Sequence, residues 1–268
     1  MTVRPRAAGT EREAIARMMP TKTVLAALAV LALCTSPFRP ALAAEITFVT
    51  EEYAPFNYSE DGTIRGIAVE QVRRIAATAG VSYRMEIMPW ARALMLAERE
   101  ARHCVFTTGH TPDRHEKFSW VEPLLRDQMV MIKRKGNPVV ATTLEEARAF
   151  RIGSQRGDIG YDVLKQLGFT DIDLATDMAI TLGKLKSGRI DLMPTSVKTY
   201  DALIAEGEPI ERAMLMEGQV YGIACNRTVP RETIDALQRA LDALVTSGDQ
   251  DAIFARYGLP PNTRTAQR

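Results

Sequence analysis

The spacing of apolar and polar positions divides the first part of the chain into alternating strands and helices. A β-branched and aromatic run predicts a strand at 45–50. Apolar residues at helical spacing predict a helix over 66–79, and alternation predicts a strand over 81–87. A helix over 90–100 and a short buried strand at 104–107 follow. This β-α-β-α-β order is typical of a mainly parallel sheet covered by helices.

A second series of strands and helices completes the pattern. Its predicted strands lie at 128–133, 151–154, 171–174, 190–193 and 219–225, and its predicted helices begin at residues 143, 158, 177, 197 and 230, with a last helix ending near 257. Apolar strands near 128–135 and 218–225 join the two series in place of a flexible linker. The pattern therefore predicts an α/β fold of two lobes joined by two hinge strands.

The predicted bounds follow from those joining strands. Lobe 1 comprises 45–130 plus 224–258, and lobe 2 comprises 134–220. The polar residues 259–268 are expected to form a frayed tail.

The first 44 residues have the parts of a cleavable secretory signal peptide. Lys22 precedes a ten-residue apolar run at 24–33, and an Ala-x-Ala cleavage site follows within 41–44. As a helix this run would span ~15 Å, too short for a bilayer core of ~30 Å. We therefore expect an exported, periplasmic protein. A membrane anchor or a buried helix stays open as the alternative.

Two details of this segment leave alternatives open. Cys34 allows a lipoprotein, although Leu33 is larger than the residue that normally precedes a lipidated cysteine. The stretch before the apolar run is long, so Met18 or Met19 are alternative starts.

Composition narrows the function classes. The chain is 46% hydrophobic and 25% charged, with a net charge of +1, as expected for a globular protein. The charges are mixed along the chain with no basic stripe, which argues against a nucleic-acid partner. Three cysteines and three histidines are too scattered for a zinc framework, so we expect neither metal nor cofactor. A monomer is expected.

Four segments together carry a resemblance to a known family. They lie at 53–56, 107–114 with its continuation 118–123, 153–158, and 188–192. In order and spacing they resemble the periplasmic solute-binding proteins of ABC importers, in the class that binds polar amino acids (bacterial extracellular solute-binding family 3). The resemblance implies a periplasmic-binding-protein-like fold of type II, with a small-molecule ligand in the interlobe cleft and hinge closure over it. It also implies delivery of the solute to the membrane permease of an ABC importer.

Two other functions occur on the same fold. A sensor input protein would present its closed state to a membrane kinase, and a lyase or dehydratase would need a general acid or base in the cleft. Glu51, Glu52 and Asp158 are available acids, but no clear acid–base pair is visible. We therefore expect a binding protein and not an enzyme.

The resemblance assigns Arg114 to the ligand's carboxylate. A guanidinium offers a planar fork that holds a carboxylate through two parallel hydrogen bonds. Beside Asp113 and Glu116, the same residue could otherwise be a solvated surface arginine. Tyr53 and Trp90 match positions near the pocket and are candidates for its aromatic wall, with core packing as the alternative.

Five further candidates lie at strand ends and helix starts. Thr107 and Thr108 end a strand, where they could contact a ligand or bond locally. Asp158 should cap a helix whose first N–H groups could face a ligand carboxylate. Gly109 stands where the family often has Ser or Thr. Ser196 stands where amino-acid binders carry an acid for the α-ammonium, which puts the ammonium half of recognition in doubt.

Cys104 and Cys225 lie on strands that the resemblance makes neighbours. An oxidising compartment would permit a disulfide between them. Because pairing between adjacent strands is strained, we expect two buried thiols.

Overall fold

The computed structural model describes residues 1–2 and 45–262. The predicted signal peptide, the lipidation of Cys34 and the alternative starts fall almost wholly outside the described residues and stay predictions. The chain remains packed beyond 259, where the tail was expected to begin. Asn262 is buried and bonds to Gln250 and Asp251.

Ten strands and nine helices form the described part of the chain. The strands are β1 (Ile46–Thr50), β2 (Tyr58–Glu60), β3 (Thr63–Arg65), β4 (Tyr83–Ile87), β5 (His103–Gly109), β6 (Phe118–Arg134), β7 (Ile152–Gln155), β8 (Ile172–Ala175), β9 (Met193–Ser196) and β10 (Ile210–Asn226). The helices are α1 (Ile67–Ala79), α2 (Trp90–Arg99), α3 (Pro112–His115), α4 (Leu144–Ala147), α5 (Ile159–Gln166), α6 (Met178–Lys186), α7 (Val197–Ala205), α8 (Arg231–Thr246) and α9 (Asp249–Arg256).

Two long strands connect both lobes. The main sheet has the order β4-β1-β5-β10-β6-β9, in which β1 pairs in parallel with β4 and β5, while β10 runs antiparallel to β5 and β6. β6 and β10 have 17 residues each and are paired along their length, so the sheet is continuous from one lobe to the other. The predicted lobe bounds within these strands therefore stay a prediction. Below, lobe 1 denotes the elements around β1, β4 and β5, and lobe 2 those around β7, β8 and β9.

Amphipathic helices cover the sheet as the apolar spacing predicts. α1 buries Ile67, Val72 and Ile75. α8 buries one face, formed by Ile234, Leu237, Ala240, Leu241 and Leu244. Each isoleucine, leucine or valine side chain among these that leaves water contributes about 1.5–3 kcal/mol. Burial along one face of each helix thus sets how the helices lie on the sheet.

Some elements differ from the prediction. Residues 58–65, for which no strand was predicted, form the hairpin of β2 and β3. The strand expected at 190–193 lies at Met193–Ser196, where it pairs with β6.

Cys104 and Cys225 form a disulfide, so the expectation of two free thiols is wrong. The antiparallel register of β5 and β10 places them directly opposite each other, with 3.9 Å between their Cα atoms. Both are fully buried. The pairing register, which the sequence does not reveal, brings the sulfur atoms together.

In the described part of the chain, no helix is long and apolar enough to cross a membrane.

Candidate functional site: a closed interlobe cleft

The carboxyl ends of the strands of both lobes meet at one cleft, and three predicted side chains reach across it. The Tyr53 hydroxyl, from lobe 1, lies 3.2 Å from Thr195 Oγ1 and accepts a 3.1 Å hydrogen bond from the backbone N–H of Ser196. Burial raises the pKa of Tyr53 to about 12, so its hydroxyl stays neutral and can donate.

Trp90 is both a core residue and a contact between the lobes. Its ring is 2% exposed and packs with Ala93 and Phe118 in lobe 1. Its Nε1 donates to the carbonyl oxygen of Gly157 in lobe 2, at 2.6 Å. Core packing, the alternative given from the sequence, is therefore what these contacts show, and the role of Trp90 in the wall of a ligand pocket stays a prediction.

Arg114 is buried in the cleft and is not a solvated surface residue. It is 4% exposed, and its guanidinium carbon lies 5.8 Å from the centre of the Trp90 ring. Nη1 donates to the carbonyl of Gly109 at 3.2 Å, and Nη2 donates to the carbonyl of Gly157 at 2.8 Å. Nη2 also donates to Asp162 Oδ2 at 2.8 Å. The guanidinium thus already holds one carboxylate, supplied by lobe 2.

The three residues at the end of β5 have different roles. Thr107 donates to Asn57 Oδ1 at 2.6 Å, and Thr108 donates to the carbonyl of Val105 at 3.2 Å. Both hydroxyls are thus engaged locally. Gly109 touches lobe 2 directly, because a Cβ there would lie 2.8 Å from Ile159. The absence of a side chain permits this close approach.

Asp158 caps α5, as predicted. Its Oδ1 accepts from the N–H of Ile159 at 2.6 Å and its Oδ2 accepts from the N–H of Gly160 at 3.1 Å. These N–H groups are therefore satisfied by the chain itself, contrary to the expectation that they face a ligand carboxylate. Burial raises the pKa of Asp158 to about 6, against the opposing effect of Arg114.

Ser196 is occupied as a helix cap. Its Oγ accepts from the N–H of Thr199 at 3.0 Å and donates to the Thr199 hydroxyl at 2.9 Å. Thr199 in turn donates to the carbonyl of Ala54 across the cleft. Ser196 therefore stabilises the start of α7, and its hydroxyl is buried and engaged with Thr199.

Three cleft residues were not singled out as ligand contacts from the sequence: Glu51, Gln155 and Asp162. Glu51 directly follows β1, is 8% exposed, and accepts a hydrogen bond from Gln155 Nε2 of lobe 2. Burial is the main cause that raises the pKa of Glu51 to about 8, and the charge of Asp158 adds to it. Glu51 could have been identified from the sequence by its position at the carboxyl end of a predicted strand, where ligands bind in open α/β sheets.

Between these contacts lies a cavity of about 10 Å³, which accommodates roughly one water molecule. Its walls are formed by Tyr53, Ser154, Gln155, Asp158, Met178, Thr181, Met193, Pro194 and Thr195. All but Tyr53 belong to lobe 2. A larger solute can enter only when the lobes move apart.

The family model for bacterial extracellular solute-binding proteins, family 3, matches residues 46–260. The chain belongs to this family. The match covers both lobes and confirms the resemblance stated from the four sequence segments. No curated relative matches the sequence.

Solved structures with the same fold are similar over most of the chain. One, an ancestral arginine-binding protein bound to arginine, is 19% identical, with a TM-score of 0.72 over 80% of this chain and 97% of that one. The arginine-, lysine-, histidine-binding protein ArtJ from Geobacillus stearothermophilus is 16% identical, with a TM-score of 0.74 over 81% and 97%. A histidine kinase sensor domain with similarity to periplasmic binding proteins is 20% identical, with a TM-score of 0.74 over 81% and 98%. These likenesses confirm the periplasmic-binding-protein-like fold.

In the described residues, no group of three or more His, Cys, Asp or Glu side chains is arranged to hold a metal ion.

Proposed function

We propose that this chain is an exported binding protein that captures a small polar solute between its lobes and delivers it to an ABC importer. The solute bears a carboxylate and is an amino acid or a close relative of one. The observation that carries the proposal is the buried guanidinium of Arg114, which projects into the cleft and binds a carboxylate there. Such a group is suited to a carboxylate ligand because a buried charge is stable only when it is paired.

Asp162 occupies the place on Arg114 that the solute's carboxylate would take. When the lobes part, Asp162 moves away with α5 and Arg114 becomes accessible. A solute carboxylate can then take its place, and the guanidinium passes from one carboxylate to another without remaining unpaired. Tyr53 and Trp90 provide the walls against which the lobes close again.

The proposal includes no chemical step. The matching family is described as solute-binding, and the named structural neighbours are described by what they bind or sense. The two cleft acids Asp158 and Glu51 already have hydrogen-bonding roles, as a helix cap and as the partner of Gln155. A lyase or dehydratase activity therefore receives no support from these contacts.

A sensor input function is the second candidate. The similarity to a histidine kinase sensor domain favours it, because the same closure would then be displayed to a membrane kinase. Measurements of solute binding do not distinguish transport from sensing. Identification of the membrane partner, an ABC importer or a kinase, does. A transport function predicts that the closed, solute-loaded protein stimulates ATP hydrolysis by its permease in membrane vesicles.

Native mass spectrometry of freshly purified protein tests the binding function. We expect a co-purified solute of low mass, and its carboxylate is checked by fragmentation. Calorimetric titration of stripped protein with the recovered solute then gives the affinity. A solute that contains no carboxylate would contradict the role proposed for Arg114.

Export is tested separately. N-terminal sequencing of protein recovered from the periplasm should begin at Ala44 or Glu45, directly before β1. A mature chain that begins at a lipidated Cys34 would contradict the cleavage site.

A further inference from the structure

Two of the three histidines of the chain lie side by side in lobe 1. His110 directly follows β5, and His115 is the last residue of α3. Nε2 of His110 lies 2.9 Å from Nδ1 of His115, and the two rings are nearly parallel, with 9° between their planes and 5.1 Å between their centres. Imidazole nitrogen is the commonest protein ligand of metal ions. Two ring nitrogens at this distance can bind one ion in place of the proton that they share.

The ring of His110 is fixed in one orientation. Its Nδ1 lies 3.0 and 2.9 Å from the two carboxylate oxygens of Glu122. A carboxylate only accepts, so Nδ1 carries the proton and Nε2 of the neutral ring has the free lone pair, which faces His115. The ring also stacks on Trp120, with 4.0 Å between their centres and 4° between their planes. His110 thus has the tautomer and the rigidity that a metal ligand needs.

Glu122 has the role of a carboxylate that supports a metal-binding histidine. Such a histidine usually donates its second N–H to a carboxylate, which orients the ring and makes the other nitrogen a better electron donor. Because Glu122 contacts the far side of the ring, it is not itself a ligand. This agrees with the lack, in the described residues, of three donors around one point. The protein supplies two ligands, His110 and His115.

The fold brings together two residues that are separated in the sequence. No metal was expected from the sequence because the histidines are scattered. The backbone N–H groups of Arg114 and His115 both donate to the carbonyl of Thr111, at 3.0 Å each, and the resulting turn places His115 next to His110. Arg114, in the same turn, is no ligand, because a guanidinium only donates.

The geometry selects the kind of ion. With a metal about 2.0–2.1 Å from each nitrogen, the 2.9 Å separation corresponds to an angle of roughly 90° at the metal. That is the angle between neighbouring ligands of a square-planar copper(II) site. His115 is exposed, so its ring can turn toward the ion while His110 stays fixed. Both rings border surface grooves, of about 440 and 620 Å³, so water can fill the remaining positions.

We infer that His110 and His115 form a binding site for a divalent transition-metal ion, with copper(II) preferred over nickel(II) and zinc(II). The preference follows from the angle at the metal and from the general order of affinities of nitrogen sites. Glu122 is a positioning residue that acts through His110. The inference does not depend on the identity of the solute in the interlobe cleft.

Titration with the metal alone tests the site. Untagged protein is treated with a chelator and titrated with copper(II), nickel(II) or zinc(II) in a buffer that does not coordinate metals. Trp120 provides a local signal, because copper(II) quenches indole fluorescence at short range and the only other tryptophan is Trp90. We expect one copper(II) ion per chain, with strong quenching that is largely lost in Trp120→Phe. Electron paramagnetic resonance of the copper(II) protein should show coupling to two imidazole nitrogens.

Substitutions identify the ligands. His115→Gln should fold, because the residue is exposed, and His110→Gln is the second variant. Each should weaken copper(II) binding at least as much as the ~10–100-fold that is typical when a group supporting a ligand is replaced. Glu122→Gln should weaken it by about tenfold, with the same two nitrogens in the resonance spectrum. The matched control is His103→Gln, since His103 lies on β5 and its ring bonds to the carbonyl of Ala101. This control should bind as the wild type does.

The outcomes separate the ligands from the positioning residue. If His110→Gln and His115→Gln bind copper(II) as tightly as His103→Gln, or if the spectrum shows fewer than two imidazole nitrogens, the metal site is overturned. If only Glu122→Gln binds as the wild type does, the role assigned to Glu122 is wrong and the two histidine ligands stand. Tighter binding of zinc(II) than of copper(II) would overturn the preference for copper.

Discussion

Arg114 of lobe 1 and Asp162 of lobe 2 form an ion pair across the cleft, with 2.8 Å between Nη2 and Oδ2. The arginine is 4% exposed and the aspartate about one quarter exposed, so the pair is only partly screened by solvent. Burial nevertheless raises the pKa of Asp162, which Arg114 counteracts. The chain thus places a carboxylate of its own on the residue that we assign to the ligand's carboxylate.

Removal of that internal carboxylate should strengthen solute binding. In Asp162→Asn Arg114 loses its charged partner within the chain, whereas the solute's carboxylate can still bind Arg114. The pairing with Asp162 competes with the solute for Arg114. When this pairing is weakened, the apparent dissociation constant of the solute falls, and we expect a decrease of about tenfold. Calorimetric titration with the recovered solute measures it. Asp113→Asn is the matched control, because Asp113 is an exposed acid in α3, next to Arg114. A weaker affinity in Asp162→Asn would show that Asp162 instead contacts the solute.

Arg114→Ala should abolish most of the affinity. The solute's carboxylate would lose a buried charged partner, at about 2–5 kcal/mol, which corresponds to a loss of roughly 30-fold to several thousand-fold. Arg114→Lys keeps the charge but not the planar fork, so it should recover only part of the affinity. Both are measured by calorimetric titration. An unchanged affinity in Arg114→Ala would remove the support for a carboxylate ligand.

The Cys104–Cys225 disulfide should stabilise the protein substantially. It joins the two strands across a sequence separation of 121 residues and therefore restricts the unfolded chain strongly. We expect that the double change Cys104→Ala, Cys225→Ala lowers the free energy of unfolding by about 2–5 kcal/mol. Urea denaturation of both proteins under non-reducing conditions provides the comparison. A midpoint and slope equal to those of the wild type would contradict a formed disulfide.

Glu51 should make the ligand-free protein less stable as the pH rises. The folded state holds the Glu51 proton up to about pH 8, whereas the unfolded chain loses it near the ordinary pKa of 4.5. Between these values the folded state binds more protons, so the free energy of unfolding falls as the pH increases, by up to ~1.4 kcal/mol per pH unit. Glu51→Gln removes this contribution.

The measurement compares wild type and Glu51→Gln by urea denaturation at pH 5.0 and pH 8.5. At pH 5.0 the two proteins should have similar free energies of unfolding. At pH 8.5 the variant should be the more stable by several kcal/mol. The difference between the two proteins isolates Glu51 from the other titrating groups. Parallel stability curves would show that Glu51 is ionised in the folded protein.

The sequence by itself determined the local structure and the position of the candidate site. Apolar spacing locates α1 and α8, and Asp158 caps its helix as expected. Thr143 and Asp177 cap the helices that were predicted to begin at these residues. These features could be predicted because side chains within one turn of a helix interact with their own backbone. The family resemblance brought Tyr53, Trp90 and Arg114 to one cleft, where the structure also has them.

Only the tertiary structure decided how these groups are paired. Arg114 and Asp162 are 48 positions apart, and Glu51 and Gln155 are 104 apart. Cys104 meets Cys225 because of a strand register that periodicity leaves undetermined. Such contacts depend on how one lobe packs on the other, and the local pattern of apolar and polar residues does not predict this packing. The burial that changes the pKa of Glu51 has the same origin, since Gln155 and Asp158 approach it from the opposite lobe.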